Sequence, residues 1–355
     1  MVKHMCQDFG GETERDVAVP RDADGPAVDP IALLAVDEVT VTTLVDNTFD
    51  ALLVSDGDVS RPPMGAGLVS STLFDGDRTV AGLIAEHGFS ALVTVRSGTR
   101  YSKLLFDTGT SPEGMAVNSE RLGIDLSDLQ GVVLSHGHFD HAGGFSGLAR
   151  LRAGHGLPLT VHPAVWSRRR LALPGVEALE LPTLSAGALA REGFEVIERR
   201  HPSLLVERTI LVTGEVDRTT DFERGMPTAH QAWDGSRWHH DAEVIDDQAL
   251  VVNLRGKGLV VVTGCGHAGV VNIVRHALRL TGTDRLHAII GGFHLSGTAF
   301  ELIIGPTVAA LVGMAPELVA PGHCTGWRAQ HALARAMPDA WVQSSSGTTY
   351  RMQAA

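Results

Sequence analysis

A short apolar segment that ends in a cluster of histidine and aspartate side chains constrains the fold more than any other feature of the sequence. The segment Val132–Leu134 is followed, after one serine, by the motif His136-Gly137-His138-Phe139-Asp140-His141. Alternate side chains of an extended strand point to the same side, so this spacing predicts that His136, His138 and Asp140 lie together. The adjacent His141 can turn to a neighbouring point once the strand ends. The fold must therefore present four polar side chains at one strand end.

Four candidate ligands within a single short motif indicate two metal ions. One tetrahedral ion would be crowded by them, whereas two ions can divide the set and recruit ligands from later segments. The chain has 17 His and only 3 Cys, which favours imidazole and carboxylate over thiolate coordination. Cys6, Cys265 and Cys324 show no Cys-x-x-Cys spacing. This excludes a zinc ribbon and a disulfide-stapled secreted fold, and it favours a reducing compartment.

Two later apolar segments also lead to histidines. Gly258–Thr263 precedes Gly264-Cys265-Gly266-His267, and Leu318–Ala320 precedes Pro321-Gly322-His323. Both histidines lie between small residues, which leave room for a metal ion or a substrate. We therefore expect His267 and His323 to complete the metal coordination.

The roles of two further residues beside these segments stay open at this point. Cys265 could reach the second metal ion as a thiolate, or it is a small buried residue at a strand end. His294 follows the apolar segment Arg285–Ile290. It either faces the substrate or is simply packed.

The rest of the chain alternates between strand and helix patterns. Short β-branched runs bounded by Gly, Asp and Asn predict strands. These are Val39–Val45, Ala91–Val95, Lys103–Phe106, Gly131–Leu134, Leu157–Val161, Thr209–Val212, Ala249–Leu254, Gly258–Thr263, Arg285–Ile290 and Leu318–Ala320. The predicted helices are Ser111–Leu122, Phe145–Ala153, Gly269–Thr281, Thr298–Met314 and Trp327–Met337. This mixture predicts helices packed on the outer faces of central sheets.

The domain organisation follows from two stretches of unusual composition. Residues 1–30 contain three basic and seven acidic residues and no continuous apolar stretch, which excludes an ordinary secretory signal. We predict an acidic flexible extension over residues 1–35 and a single domain over residues 36–355. Residues 171–241 carry scattered Pro, Gly and Trp and are too long for an ordinary loop. They are predicted to form an inserted lid or substrate region, or else a surface decoration.

The charge balance and hydropathy exclude several classes of partner. A formal net charge of -12 argues against a general binder of nucleic acid, and no apolar stretch reaches the roughly 20 residues of a membrane helix. We expect a cytoplasmic protein with a small-molecule substrate, while the oligomeric state stays undetermined. The run Arg168-Arg169-Arg170 is expected to lie on a solvated face, with binding of an anionic substrate as the alternative.

The metal motif, followed at long range by single histidines after strands, resembles the metallo-β-lactamase superfamily. A closer resemblance, over roughly Val39 to Met352, is to the branch labelled dihydropterin ribofuranosylaminobenzene-phosphate synthase. It rests on Leu44-Val45-Asp46-Asn47, Leu105-Phe106-Asp107-Thr108-Gly109, Leu134-Ser135-His136-Gly137-His138, Thr263-Gly264-Cys265-Gly266-His267, Gly291-Gly292-Phe293-His294-Leu295 and Gly322-His323-Cys324-Thr325-Gly326. The resemblance implies an α/β protein with an αββα sandwich, in which two central mixed sheets carry helices on their outer faces and the site lies at one edge.

The same resemblance implies a division of the ligands between two metal ions. The first ion takes His136, His138 and His267, and the second takes Asp140, His141 and His323. Many hydrolases of the superfamily carry a bridging Asp where this chain has Gly264-Cys265. Asp247 is a candidate substitute for this carboxylate, or it supports a ligand without binding metal. Asp107 is expected to orient a ligand histidine.

This ligand set predicts a hydrolase. Two divalent ions, zinc in the first instance and Fe or Mn otherwise, would lower the pKa of a water held between them toward ~7 and supply hydroxide. We expect attack on a small ester, lactone, amide or phosphorylated substrate, by a hydrolase or a hydrolase-like transferase. As catalytic residues, Asp140 would orient the water, and His294 would steady an oxyanion or protonate the leaving group. The alternatives are a mononuclear iron oxidoreductase or dioxygenase and, beyond that, a non-catalytic binding protein with a degenerate site.

Overall fold

The computed structural model describes residues 30–63, 68–152 and 156–355. Most of the predicted acidic extension, residues 1–29, lies outside these ranges. At the beginning of the described chain, the Ile31 N–H donates to the Leu280 carbonyl oxygen at 2.7 Å. Within the described ranges, no helix has the length and apolar character needed to cross a membrane.

The described strands fall into four sheets. In chain order they are β1 (Ala35–Val36), β2 (Glu38–Val45), β3 (Val59–Ser60), β4 (Leu68–Ser70), β5 (Arg78–Val80), β6 (Ser90–Ser97), β7 (Arg100–Phe106), β8 (Gly131–Val133), β9 (Leu157–Val161), β10 (Arg169–Leu171), β11 (Leu179–Glu180), β12 (Phe194–Glu198), β13 (Ser203–Leu205), β14 (Ile210–Val212), β15 (His230–Trp233), β16 (Trp238–His240), β17 (Ala249–Leu254), β18 (Gly258–Thr263), β19 (Leu286–Gly292), β20 (Leu318–Gly322) and β21 (Thr349–Gln353).

The helices of the described chain are short, and two of them consist of four residues. They are α1 (Gly114–Leu122), α2 (Phe139–Ala142), α3 (Phe145–Arg152), α4 (Ala186–Arg191), α5 (Val270–Thr281), α6 (Thr298–Glu301), α7 (Ile304–Met314) and α8 (Trp327–Ala336). Single 3₁₀ turns cover Pro163–Trp166 and His323–Thr325.

Two large mixed sheets form the centre of the molecule. One has eight strands in the order β12-β9-β8-β7-β6-β2-β21-β3. The other has seven, in the order β13-β14-β17-β18-β19-β20, with β1 paired to β17. A four-stranded sheet, β11-β10-β15-β16, and the hairpin β4-β5 are separate from both.

The buried residues divide into three layers that confirm the predicted αββα sandwich. Val41, Phe106, Val252 and Ile290 belong to a cluster between the two large sheets. A second cluster lies between the seven-stranded sheet and α5, α7 and α8, and a third lies between the eight-stranded sheet and α1, α3 and α4. Every residue of β18 is buried, because a helix layer covers one face of this strand and the other large sheet covers the opposite face.

The structure corrects two boundaries predicted from the sequence. Residues 171–241 are not one insertion, since β12 pairs with β9, and β13 and β14 join the seven-stranded sheet. The apolar residues of β12, β13 and β14 complete the two large sheets, and a smaller part of residues 171–241 forms the four-stranded sheet.

The helix predicted over 298–314 is two helices, α6 and α7. Pro306 lies in the first turn of α7, where its missing N–H costs nothing, and a continuous helix through it would lose a hydrogen bond.

Candidate metal centre

The metal motif begins where β8 ends, but it does not stay extended. His138 has an extended backbone and precedes α2, so Asp140 and His141 lie on one helical turn. The prediction that alternation brings Asp140 beside His136 and His138 is therefore wrong in its local geometry. The helix divides the motif, with two histidines before α2 and the other two ligand candidates within it.

Glycines allow this turn to pack closely on a neighbouring loop. A Cβ atom at Gly143 would overlap the Thr110 carbonyl oxygen, and one at Gly144 would overlap the Thr108 carbonyl oxygen. Only a residue without a side chain fits such an approach of two backbones. The short helix α2 is thus fixed against the loop that follows β7.

The first group of ring nitrogens comes from His136, His138 and His267. Nε2 of His136 lies 3.0 Å from Nδ1 of His138 and 3.1 Å from Nε2 of His267. All three side chains are buried. Burial, together with neighbouring positive groups, holds the pKa of each ring well below its ordinary value. The three imidazoles are therefore neutral near pH 7 and carry lone pairs.

Hydrogen bonds show which nitrogen of His136 bears the lone pair. The Ser135 hydroxyl donates to Oδ2 of Asp107, and Nδ1 of His136 lies 2.9 Å from the same hydroxyl oxygen. Nδ1 is thus the protonated nitrogen, and Nε2 of His136 presents its lone pair to His138. Tetrahedral ligands of Zn²⁺ would be about 3.4 Å apart, close to the two separations measured from Nε2 of His136.

A second group lies beside the first and contains Asp140, His141 and His323. Nδ1 of His141 lies 2.7 Å from Oδ2 of Asp107, as expected for an orienting carboxylate. Among the described residues, the buried Nε2 of His141 has no hydrogen-bond partner. Oδ2 of Asp140 lies 3.8 Å from this atom and 3.4 Å from Nε2 of His323. An ion between these three atoms would satisfy the orphaned nitrogen.

Opposite charges in the second group stabilise one another. Burial opposes a proton on His141, but the carboxylates of Asp107 and Asp140 outweigh it and raise the pKa of His141 to about 9. Burial would raise the pKa of Asp140, but His141 and His323 hold it far below its usual range. In the metal-free state, protons on the histidines therefore balance the buried carboxylates.

Cys265 lies between the two groups, at the place where the resemblance implies a bridging carboxylate. Its Sγ atom joins His136 and His267 in one set of candidate ligands and His141 and His323 in another, with the donor atoms of each set within 4.8 Å of one another. Sγ lies 3.3 Å from Nε2 of His323. Burial raises the pKa of the Cys265 thiol, which donates a hydrogen bond to Cys324.

Asp247 does not occupy this central position. Its Oδ2 atom accepts the Ala268 N–H at 2.8 Å, and Asp247 belongs to none of the candidate ligand sets among the described residues. The structure therefore brings Cys265, and not Asp247, between the two groups of histidines.

His294 lies at the open side of the same cluster. Its ring centroid is 4.2 Å from that of His267 and 4.4 Å from that of Phe300. His294 and His323 both have a φ of 46°, a left-handed conformation that is uncommon for residues other than glycine. Such strain is concentrated at functional sites, where the surrounding structure enforces it.

Two histidines of the site were missed in the sequence. Nε2 of His230, on β15, lies 3.0 Å from Nε2 of His138. Nε2 of His87 lies 3.6 Å from Oδ2 of Asp140, and its side chain is 68% exposed. His230 is in a segment without clear periodicity, and His87 precedes a strand instead of following one. The only available signal was the residue type.

A buried ion pair fixes the four-stranded sheet to the metal motif. Arg169 contacts both carboxylate oxygens of Asp246, and its Nε donates to Oδ2 of Asp241 at 2.9 Å. Asp246 in turn accepts the Gly137 N–H at 2.7 Å. Arg169 is only 3% exposed, so the expectation of a solvated face is wrong for this arginine. Arg168, which pairs with Glu180, is exposed as expected.

Comparisons with known proteins bear on the family and the fold of the chain. Residues 90–272, more than half of the chain, match the sequence model of the metallo-beta-lactamase superfamily. A solved structure described as a metal-dependent hydrolase of the beta-lactamase superfamily superposes with a TM-score of 0.65 at 24% identity, over 89% of this chain and 99% of that one. This likeness concerns the fold.

Two relatives from Methanocaldococcus jannaschii match similar shares of the chain. One is named 7,8-dihydropterin-6-methyl-4-(beta-D-ribofuranosyl)-aminobenzene-5'-phosphate synthase and is 29% identical over 256 residues, which cover 70% of this chain and 83% of the relative. The other is an uncharacterized protein, 27% identical, with 71% of this chain and 88% of the relative covered.

Proposed function

Because this chain belongs to the metallo-beta-lactamase superfamily, we propose that it is a metal-dependent hydrolase, or a hydrolase-like transferase, that acts on a small ester, lactone, amide or phosphorylated substrate. One observation supports this most strongly. Nε2 of His136, which bears a lone pair, lies 3.0 Å from Nδ1 of His138 in a buried cluster. Ring nitrogens gathered in this way favour a cation between them.

The residues divide between two divalent ions, with Zn²⁺ the preferred metal for imidazole and thiolate donors. His136, His138 and His267 would hold the first ion, and Asp140, His141 and His323 the second. Cys265 would contribute a thiolate between them. Ions bound there would activate a water molecule as the nucleophile and polarise the bond to be cleaved.

The chain's own side chains would then position the reacting groups. Asp140 would accept a hydrogen bond from the attacking water, since its carboxylate is ionised and faces both His141 and His323. His294 borders the open side of the cluster and would donate a proton to the leaving group or to a developing oxyanion. His87, at the exposed rim 3.6 Å from Asp140, would exchange protons with solvent.

Metal analysis and a substrate screen test the proposal together. Protein purified from unsupplemented medium should contain at least two equivalents of a colourless metal, and it should hydrolyse one of the four substrate classes. The name of the Methanocaldococcus relative contains a phosphate ester, so phosphorylated substrates are the first to screen. A coloured protein with a single iron would instead support the oxidoreductase alternative.

Variants connect the activity to the cluster. His138→Ala and Asp140→Ala should each lose bound metal and turnover, whereas His239→Ala, an exposed position on β16, should keep both. Full turnover in His138→Ala after its metal content has fallen would contradict the proposal.

A further inference from the structure

A pair of thiols lies beside the histidine groups. Sγ of Cys265 is 3.1 Å from Sγ of Cys324, and both cysteines are reduced and buried. Nδ1 of His294 is 3.7 Å from Sγ of Cys265. The three donor atoms lie within 4.8 Å of one another.

The surroundings of the two sulfur atoms differ from those of an ordinary buried cysteine, which behaves as a small apolar residue. Sγ of Cys324 donates to the Cys265 carbonyl oxygen at 3.3 Å, and Sγ of Cys265 lies 3.3 Å from Nε2 of His323. A Cβ atom at Gly292 would lie 2.8 Å from Sγ of Cys324. Because Gly292 has no side chain, there is space beside it for Sγ of Cys324.

This cluster is distinct from the two groups of histidines described above. Cys324 and His294 belong to neither of them, and only Cys265 is shared. Two sulfur atoms and one imidazole form a softer donor set than the histidine and carboxylate groups, and thiolate ligands select Zn²⁺ or Cu⁺. His294 is partly exposed, so one side of the cluster is open for metal entry and for a fourth ligand.

We propose that Cys265, Cys324 and His294 form a third metal site, which takes a thiophilic ion such as Zn²⁺ or Cu⁺ and adjoins the histidine centre through Cys265. On binding, each thiol releases its proton to solvent and forms one sulfur–metal bond, so no oxidant is required. Coordination through Nδ1 leaves Nε2 of His294 available for the role toward substrate described above. The site requires only these three residues and does not depend on the proposed hydrolase activity.

The test uses the full chain, reduced and freed of metal under anaerobic conditions and then titrated with Co²⁺. Thiolate-to-cobalt charge transfer in the near ultraviolet reports sulfur ligands, and equilibrium dialysis gives the number of ions bound. Cys324→Ser should bind one ion fewer than the wild type and lose about half of the charge-transfer intensity, since one of two thiolates is gone. Cys6→Ser, which removes the remaining cysteine of the chain, should match the wild type.

A second variant guards against a fold defect in Cys324→Ser. His294→Ala removes a partly exposed ligand and should also bind one ion fewer, with the three thiols of the chain still titratable by a thiol reagent after unfolding. His138→Ala should keep the charge transfer that depends on Cys324 while it loses ions from the histidine centre, which separates this inference from the proposed function. Unchanged cobalt stoichiometry and intensity in both Cys324→Ser and His294→Ala would overturn the third site.

Discussion

Nε2 of His230 lies 3.0 Å from Nε2 of His138, so the small four-stranded sheet contacts the centre of the metal motif. Nδ1 of His230 lies 3.1 Å from the Asp241 carbonyl oxygen, which can only accept a hydrogen bond. Nδ1 therefore carries the proton of a neutral His230, and Nε2 accepts from His138. As a result Nδ1 of His138 is left with a lone pair, as a metal ligand requires.

These hydrogen bonds from Asp241 through His230 to His138 form a relay, which predicts that His230 increases the metal affinity of the site without binding metal itself. His230→Ala should weaken Zn²⁺ binding by about 10–100-fold, because His138 loses the partner that fixes its tautomer. Competition with a chromophoric chelator measures the change. His230→Gln, whose amide oxygen can accept the same hydrogen bond, should recover part of the affinity, and the exposed His239→Ala should equal the wild type. Equal affinities in all of these proteins would disprove the relay.

The ion pair of Arg169 predicts a large loss of stability on truncation. Arg169→Ala leaves the buried Asp246 without a counter-charge, which should lower the free energy of unfolding by about 3–5 kcal/mol. Urea denaturation measures this value. Arg168→Ala removes an exposed pair with Glu180 and should change stability by about 0–1 kcal/mol. Similar losses of unfolding free energy in the two variants would show that the buried ion pair of Arg169 does not stabilise the position of the four-stranded sheet.

The close approach of two backbone segments at the metal motif predicts that Gly143 cannot be replaced by a residue with a side chain. Gly143→Ala forces a methyl group into the Thr110 carbonyl oxygen, so this variant should lose at least about 3 kcal/mol or fail to fold. Gly313 in α7 has nothing within 4 Å of an added Cβ. Gly313→Ala should therefore stabilise the protein by about 0.5–1 kcal/mol through reduced chain entropy. Thermal unfolding of the two variants should shift in opposite directions.

Asp247 predicts a pH-dependent contribution to stability. Burial raises the pKa of this carboxyl to about 6, whereas the unfolded chain has about 3.9. Between about pH 4 and pH 6 the Asp247 carboxyl keeps its proton in the folded protein, whereas in the unfolded chain it has released it. Its contribution to the free energy of unfolding is therefore fully present below pH 4 and is lost as the pH rises through 6. The stability of Asp247→Asn relative to wild type should therefore increase across this window, by about 3 kcal/mol at most.

Urea unfolding of the metal-free protein between pH 4 and pH 8 measures this difference. Asn can still accept the Ala268 N–H, so the hydrogen bond is kept. Asp284→Asn, at an exposed position, is the matched control for the loss of a carboxyl group. A pH-independent difference for Asp247→Asn would show that the carboxyl does not gain a proton on folding.

Most of the correct predictions from the sequence rest on apolar runs that form strands and on the residues that follow them. Gly258–Thr263 has the same bounds in prediction and structure, and the residues that follow it, Cys265 and His267, lie in the cluster. Metal binding by His267 stays a prediction. Strands of this kind are recognisable because both faces are covered, which leaves a continuous apolar run. These runs and the amphipathic helices between them predict helices outside central sheets, whereas the αββα arrangement is implied by the family resemblance.

The remaining features depend on contacts between distant segments. His87 and His230 reach the site only because a loop and the four-stranded sheet fold back onto it, and neither has a periodic signal nearby. The buried state of Arg169 depends in the same way on Asp246, a residue remote in sequence. The motif itself was predicted as extended, since its spacing does not reveal that α2 begins at Phe139.

The cluster receives its side chains from both large sheets. His136 and His138 follow β8 of the eight-stranded sheet, while Cys265, His294 and His323 follow three adjacent strands of the other sheet. An ion bound to both sets is a cross-link that exists only in the folded chain. Thermodynamic linkage then makes the melting temperature a function of free metal concentration, with about 2.7 kcal/mol gained at 100 times the dissociation constant. Metal supply would thus govern the lifetime of the protein as well as its chemistry.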